Sequence, residues 1–112
     1  MKIYCNRRQY ENELDRYIGQ DIWIYTSLMS NPRSGRYIRI VDKTKKLYTL
    51  NCVTKKNVEK MIALHDMVNF HNALKCEFKF TIEEVTASII QPMEIFTTEE
   101  LFEGIDYENI LQ

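Results

Sequence analysis

Residues 36–53 read RYIRIVDKTKKLYTLNCV, and how they pair decides the fold. Two runs rich in β-branched and aromatic residues flank the polar cluster Asp42, Lys43, Thr44, Lys45 and Lys46, the pattern of a β-hairpin. With Lys43 to Lys45 as the loop, Ile40 falls opposite Tyr48 and Ile38 opposite Leu50, which makes one face apolar. The other face carries Tyr37, Arg39, Thr49 and Asn51. Register is tightly specified, because a slip by one residue would set Thr49 and Asn51 against the isoleucines and bury polar groups without partners.

Upstream of the hairpin, Asp21 to Met29 alternates as a strand, with Ile22, Ile24 and Leu28 on one side and Trp23, Tyr25 and Ser27 on the other. Pairing it with the hairpin joins its isoleucines to Ile38, Ile40 and Leu50 and sets Trp23 and Tyr25 beside Tyr37 and Arg39. The segment SNPRSG, residues 30–35, reads as the connecting turn. Further back, Tyr10, Leu14, Tyr17 and Ile18 have the spacing of a buried helical stripe. A capping box of Asn6 and Gln9 starts that helix, expected over Asn6 to Ile18, and Gly19 ends it. Met1 to Cys5 reads as a short strand.

Downstream, TKKNVEKMIALHD predicts a helix from Thr54 to Asp66, capped by Thr54, with Val53 and Val58 as a hydrophobic staple and Val58, Met61, Ile62 and His65 on its apolar face. Lys55 and Lys56 fall in its first turn, where they oppose the helix dipole. Leu74 to Ile82 alternates and predicts a half-buried strand. In EEVTASIIQP the capping pair Thr81 and Glu84 competes with the β-branched Val85, Thr86, Ile89 and Ile90. The strand reading, with Glu83 and Glu84 as the turn, places Phe80 opposite Ala87 and Phe78 opposite Ile89, and Pro92 ends the strand. Thr97 and Glu100 form a further capping box that opens a short helix over Thr98 to Phe102.

These elements predict one α+β domain over residues 1–112, built on a mostly antiparallel sheet of about five strands with two to three helices. Its expected core contains Leu14, Ile22, Ile24, Ile38, Ile40, Leu50, Ile62, Phe78, Phe80 and Ile89. A chain of 112 residues, 45% hydrophobic and 28% charged, is long enough for a single core. No apolar run approaches the roughly 20 residues that cross a bilayer, so the expected setting is the cytoplasm and no membrane contact is expected. Cys5, Cys52 and Cys76 have no CxxC spacing, which suits reduced thiols.

Charge is distributed unevenly along the chain. Residues 1–60 carry 13 Lys and Arg against 6 Asp and Glu, and residues 61–112 carry 2 against 10, so a half of charge +7 precedes one of −8. Six of the seven tyrosines and the single tryptophan lie in the first 48 residues, within the basic half. Such asymmetry points to a charged partner, or to two halves that face each other in the fold.

Catalytic patterns are not evident. The three glycines form neither a GxGxxG nor a GxxxxGK[ST] loop. His65 and His71 diverge by about 240° on a continuous helix and share no zinc spacing with Cys76. The adjacent pairs Glu83-Glu84 and Glu99-Glu100 read as turn or cap residues. No cofactor and no enzymatic activity are expected. Binding remains, and a strand face of Trp23, Tyr25, Tyr37 and Arg39, rimmed by Arg36, Lys43, Lys45 and Lys46, has the aromatic and cationic groups of a single-stranded nucleic-acid platform. Two alternatives compete with it. Glu94, Glu99, Glu100, Glu103, Asp106 and Glu108 would suit a small phage or mobile-element type inhibitor that docks on a nucleic-acid-handling host protein. Basic and acidic halves of neighbouring chains could also meet in a homo-oligomer.

Overall fold

The hairpin forms where the pattern puts it, but two residues away from the expected register. In the computed structural model, which describes residues 1–29, 35–103 and 105, the elements run β1 (Lys2–Ile3), α1 (Tyr10–Asp15), β2 (Ile22–Thr26), β3 (Arg36–Lys43), β4 (Leu47–Thr54), α2 (Lys55–Leu64), α3 (Met67–Lys75), β5 (Phe78–Thr81), α4 (Ile82–Ala87), β6 (Met93–Thr97) and α5 (Thr98–Leu101). Ile40 pairs with Leu50 and Ile38 with Cys52, while nearer the loop Asp42 pairs with Thr49 and Lys43 with Tyr48. The two halves of this ladder differ by one residue, a β-bulge at Val41. A shift of two preserves side-chain parity, so Ile38, Ile40, Tyr48 and Leu50 still share one buried face.

All strand pairs are antiparallel, in the order β1-β6-β2-β3-β4-β5. The fold is α+β, with six strands in place of about five and five α-helices in place of two to three among the described residues. The additional central strand is β6, inserted between β1 and β2 by pairs such as Ile24 with Ile95. Pro92 therefore precedes a strand as well as ending the segment before it.

Helices cover both faces of the sheet. Tyr10 and Leu14 of α1 and Val85 of α4 pack on one face against Ile24, Ile38, Ile40, Tyr48 and Leu50. On the other, Val58 and Met61 of α2, Phe70 of α3, Leu101 of α5, and Phe102 enclose Trp23 and Val53. Burial of Val53 and Val58 together fits the expected staple at the start of α2, where the Thr54 hydroxyl accepts from the Asn57 N–H at 3.1 Å.

Three expectations downstream of α2 are corrected. His65 is exposed rather than core, because it takes the left-handed cap conformation of α2 with φ 47°. The alternation of Leu74 to Ile82 is a strand only over Phe78–Thr81, since the Asp66 carboxylate accepts from the Asn69 N–H and starts a helix that runs through Lys75. Residues 82–87 are the helix α4 instead of a strand: Thr81 and Glu84 form both bonds of a capping box, at 3.1 and 3.0 Å, and local capping prevails over β-branching. Phe78 and Phe80 then lie opposite Leu50 and Tyr48 instead of Ile89 and Ala87. On this edge strand Phe78 is 43% exposed and so stands outside the core.

Lys43 shows what the bulge accomplishes. Strict alternation would set it with Tyr37 and Arg39, but the extra residue turns it to the opposite face, toward α1. There its ammonium bonds Glu11 Oε2 at 2.9 Å and Asp15 Oδ2 at 2.8 Å and lies 5.3 Å from the Tyr48 ring centre. The Tyr48 hydroxyl donates to Asp15 Oδ1 at 2.8 Å. Burial, that bond and the nearby carboxylates raise the Tyr48 pKa above its ordinary 10.0, and burial followed by the Glu13 hydrogen bond pushes Tyr17 up to about 12.

An alkaline weakness follows from these two phenols. Both hold their protons to higher pH when folded, so the stability they contribute is complete below about pH 10 and declines above it, for Tyr17 as pH climbs through about 12. A thermal midpoint that declines over this window is expected. Tyr48→Phe should flatten the decline while costing about 1.5 kcal/mol at neutral pH through the lost bond to Asp15. An identical alkaline profile for parent and variant would contradict the assignment.

Candidate binding surface

Alternation does bring the four expected platform residues onto one face. Trp23 pairs with Arg39 and Tyr25 with Tyr37 across β2 and β3, and all four side chains point away from the isoleucine core. The face is not an open platform, however. Trp23 has no exposed surface, because α2, α3 and α5 bury it against Phe102, whose ring meets it edge-on at 5.7 Å. A sheet with helices available to both sides closes over its largest aromatic group first, since that removes the most apolar area from water.

Arg39 is held by the same packing. Its guanidinium lies 5.3 Å from the Trp23 ring centre and donates to Asn51 Oδ1 at 3.0 Å and to Asp21 Oδ1 at 3.1 Å. Trp23 Nε1–H donates to Thr98 Oγ1 at 2.8 Å, and the Thr98 hydroxyl donates in turn to Asp21. One network therefore fastens α5 to β2 and β3, and Arg39 serves it instead of facing an outside anion.

The remaining expected cations separate. Arg36 points to the isoleucine side of the sheet, where it donates to the Leu28 carbonyl at 2.7 Å, and Lys43 is paired with α1. Lys45 and Lys46 are exposed at the hairpin tip and form no ion pair among the described residues. The opposite end of the hairpin lies about 25 Å away, at about 3.3 Å per strand residue. At that far end stand Tyr25 and Tyr37, half-buried with ring centres 5.0 Å apart, and beside them the first turn of α2.

That first turn has an unbalanced charge. Lys55, Lys56 and, one turn on, Lys60 are exposed and without an ion pair among the described residues. Lys55 Nζ lies 6.0 Å from the Tyr25 ring centre, and its backbone N–H donates to the Gly35 carbonyl at 3.1 Å. Gly35 has no side chain because Tyr25 occupies the space: a Cβ there would fall on the phenol ring. Burial first, then Tyr25, Glu94 and Glu59 raise the Tyr37 pKa, so the negative groups border Tyr37 while the lysines border Tyr25.

Glu94 is half-buried on β6, Glu100 bonds the Thr97 N–H at 3.0 Å as a cap, and Glu99 and Glu103 are exposed on and just after α5. Asp106 and Glu108 lie outside the described residues. Among those described, no three His, Cys, Asp or Glu side chains converge as metal ligands, and no helix is long and apolar enough to cross a membrane.

A groove of about 530 Å³ was not foreseen. It opens where β4 runs past the end of β5, between Asn57, Lys60 and Met61 of α2, Asn69 and Asn72 of α3, and Arg36, Cys52, Cys76 and Phe78. Its walls come from segments that meet only after α3 is recognised as a helix, and the strand reading of Leu74 onward conceals that. No protein-family signature, curated protein or solved structure matches this chain.

Proposed function

We propose that this chain is a non-catalytic binding protein of the cytoplasm that contacts an anionic partner through the first turn of α2, with single-stranded nucleic acid the partner its chemistry suits best. One observation carries the reading: Lys55 and Lys56 sit without an ion pair among the described residues at the positive end of a helix, where two cations disfavour folding, and Lys55 overhangs the half-exposed Tyr25. Phosphates supply the missing counter-charge at Lys55, Lys56 and Lys60, and the open part of the Tyr25 ring offers a base a stacking surface. Trp23, being buried, takes no part. The strand would run on the Lys55 and Tyr25 side, away from Glu94.

Binding of a labelled single-stranded oligonucleotide, followed by fluorescence anisotropy across a salt series, tests this. Lys55→Glu with Lys56→Glu should weaken binding at least about tenfold at low salt, and loss of two phosphate contacts should reduce the log–log salt slope by about 1.4. Equal, negligible binding by parent and variant at low salt would defeat the reading. The exposed Glu99 and Glu103 would then favour a basic protein surface as the partner, as in an inhibitor of a nucleic-acid-handling protein.

A further inference from the structure

Two of the three cysteines face the same groove. Cys52 lies on β4, half-buried, and Cys76 is exposed just after α3, and both line the cavity between α3 and the β4 edge. The ladder between β4 and β5 explains the approach. Leu50 pairs with Phe78 as the last rung of that ladder, and one step of the same side-chain parity beyond it on the two segments stand Cys52 and Cys76. Cys76 already has the extended backbone of a strand, with φ −79° and ψ 117°, and its carbonyl accepts from Asn51 Nδ2 at 3.0 Å, which holds it against β4. Cα atoms of directly opposed antiparallel residues stand about 4.5–5.5 Å apart, within the span a disulfide bridges.

We propose that Cys52 and Cys76 form a modification site, a thiol pair that a low-molecular-weight disulfide such as oxidised glutathione converts into a Cys52–Cys76 bridge across the groove. The exposed Cys76 thiolate attacks one sulfur of oxidised glutathione, forming a mixed disulfide and releasing one glutathione thiolate. The Cys52 thiolate then attacks the Cys76 sulfur, forming the protein disulfide and releasing the second glutathione. Two protein thiols are oxidised and one glutathione disulfide is reduced to two thiols, with two protons passing to solvent. Burial raises the Cys52 pKa and the Arg36 guanidinium partly offsets it, which suits Cys52 to the second, intramolecular step rather than the first. The bridge fastens the end of α3 to β4 and closes that end of the groove. Cys5 takes no part, since it does not line this groove but a separate cleft beside Glu13 and Tyr17.

The test is to incubate the folded full chain with oxidised glutathione at mildly alkaline pH, block free thiols with N-ethylmaleimide, and map the peptides by mass spectrometry without reduction. A Cys52–Cys76 cross-linked peptide should dominate, and the same treatment in concentrated urea should add pairings with Cys5. Cys52→Ser should stop the reaction at a glutathione adduct on Cys76. Predominant Cys5 pairings in the folded protein, a glutathione adduct on Cys76 that persists while Cys52 stays free, or no reaction at either thiol would each overturn the proposal. The mapping of the unsubstituted chain decides the matter even where a variant fails to fold.

Discussion

Trp23→Ala should lower the unfolding free energy by about 3–5 kcal/mol, a large part of the roughly 5–15 kcal/mol that holds a domain of this size together. Trp23 is fully buried between the sheet and α2, α3 and α5, and its truncation leaves a cavity that Phe102 alone cannot fill. It also removes the indole N–H that Thr98 accepts at 2.8 Å, so the network through Asp21 to Arg39 loses its anchor. Trp23→Phe retains most of the packing, and a smaller loss of about 1–2 kcal/mol is expected from the missing hydrogen bond and reduced area. Urea denaturation followed by far-ultraviolet circular dichroism gives both values, because the variants lack the only tryptophan. A Trp23→Ala protein as stable as its parent would mean that the second helical layer does not close over this face.

Asn51→Ala should cost about 2–4 kcal/mol, from one fully buried side chain with several partners. Its amide nitrogen donates to the Leu74 and Cys76 carbonyls at 3.3 and 3.0 Å, and its oxygen accepts from Arg39 Nε at 3.0 Å. Asn51 thereby caps the end of α3 from a neighbouring strand. An alanine would leave those part-buried carbonyls and part of a guanidinium without their partner, and an apolar leucine of similar size should not rescue them. Urea midpoints of the two variants check this. A shift equivalent to less than about 0.5 kcal/mol would indicate that water replaces the amide.

The central part of the fold was legible because its signals were local and redundant. In β2, β3 and β4 alternation, β-branching and a polar loop agree, and the shared face of Trp23, Tyr25, Tyr37 and Arg39 follows from alternation alone. The bulge at Val41 was not legible, because nothing in VDKTKK distinguishes one inserted residue from a shorter loop, yet it decides which face Lys43 serves. The segment from Leu74 to Ile82 misled because alternation continues through the end of α3, where the Asp66 cap determines the structure eight residues earlier. For the binding surface, alternation settles which residues share a face but carries no information about what covers it. Trp23 and Arg39 accordingly moved from an expected platform to the interior, whereas the placement of Lys55 and Lys56 against the dipole was visible in the sequence.

The strand order has a consequence for aggregation. Among the described residues the sheet ends in β1, two residues long, and β5, four residues long with the exposed Lys79 in its middle. Both outer rows of backbone groups are thus too brief to template a continuous cross-β ladder, and a cation on one of them opposes the flat stacking of like edges. The long, strongly β-forming segments β3 and β4 lie inside the sheet, paired on both sides over residues 36–39 and 48–50. An amyloid-type nucleus would have to expose them by unfolding the domain rather than by growing from its native rim.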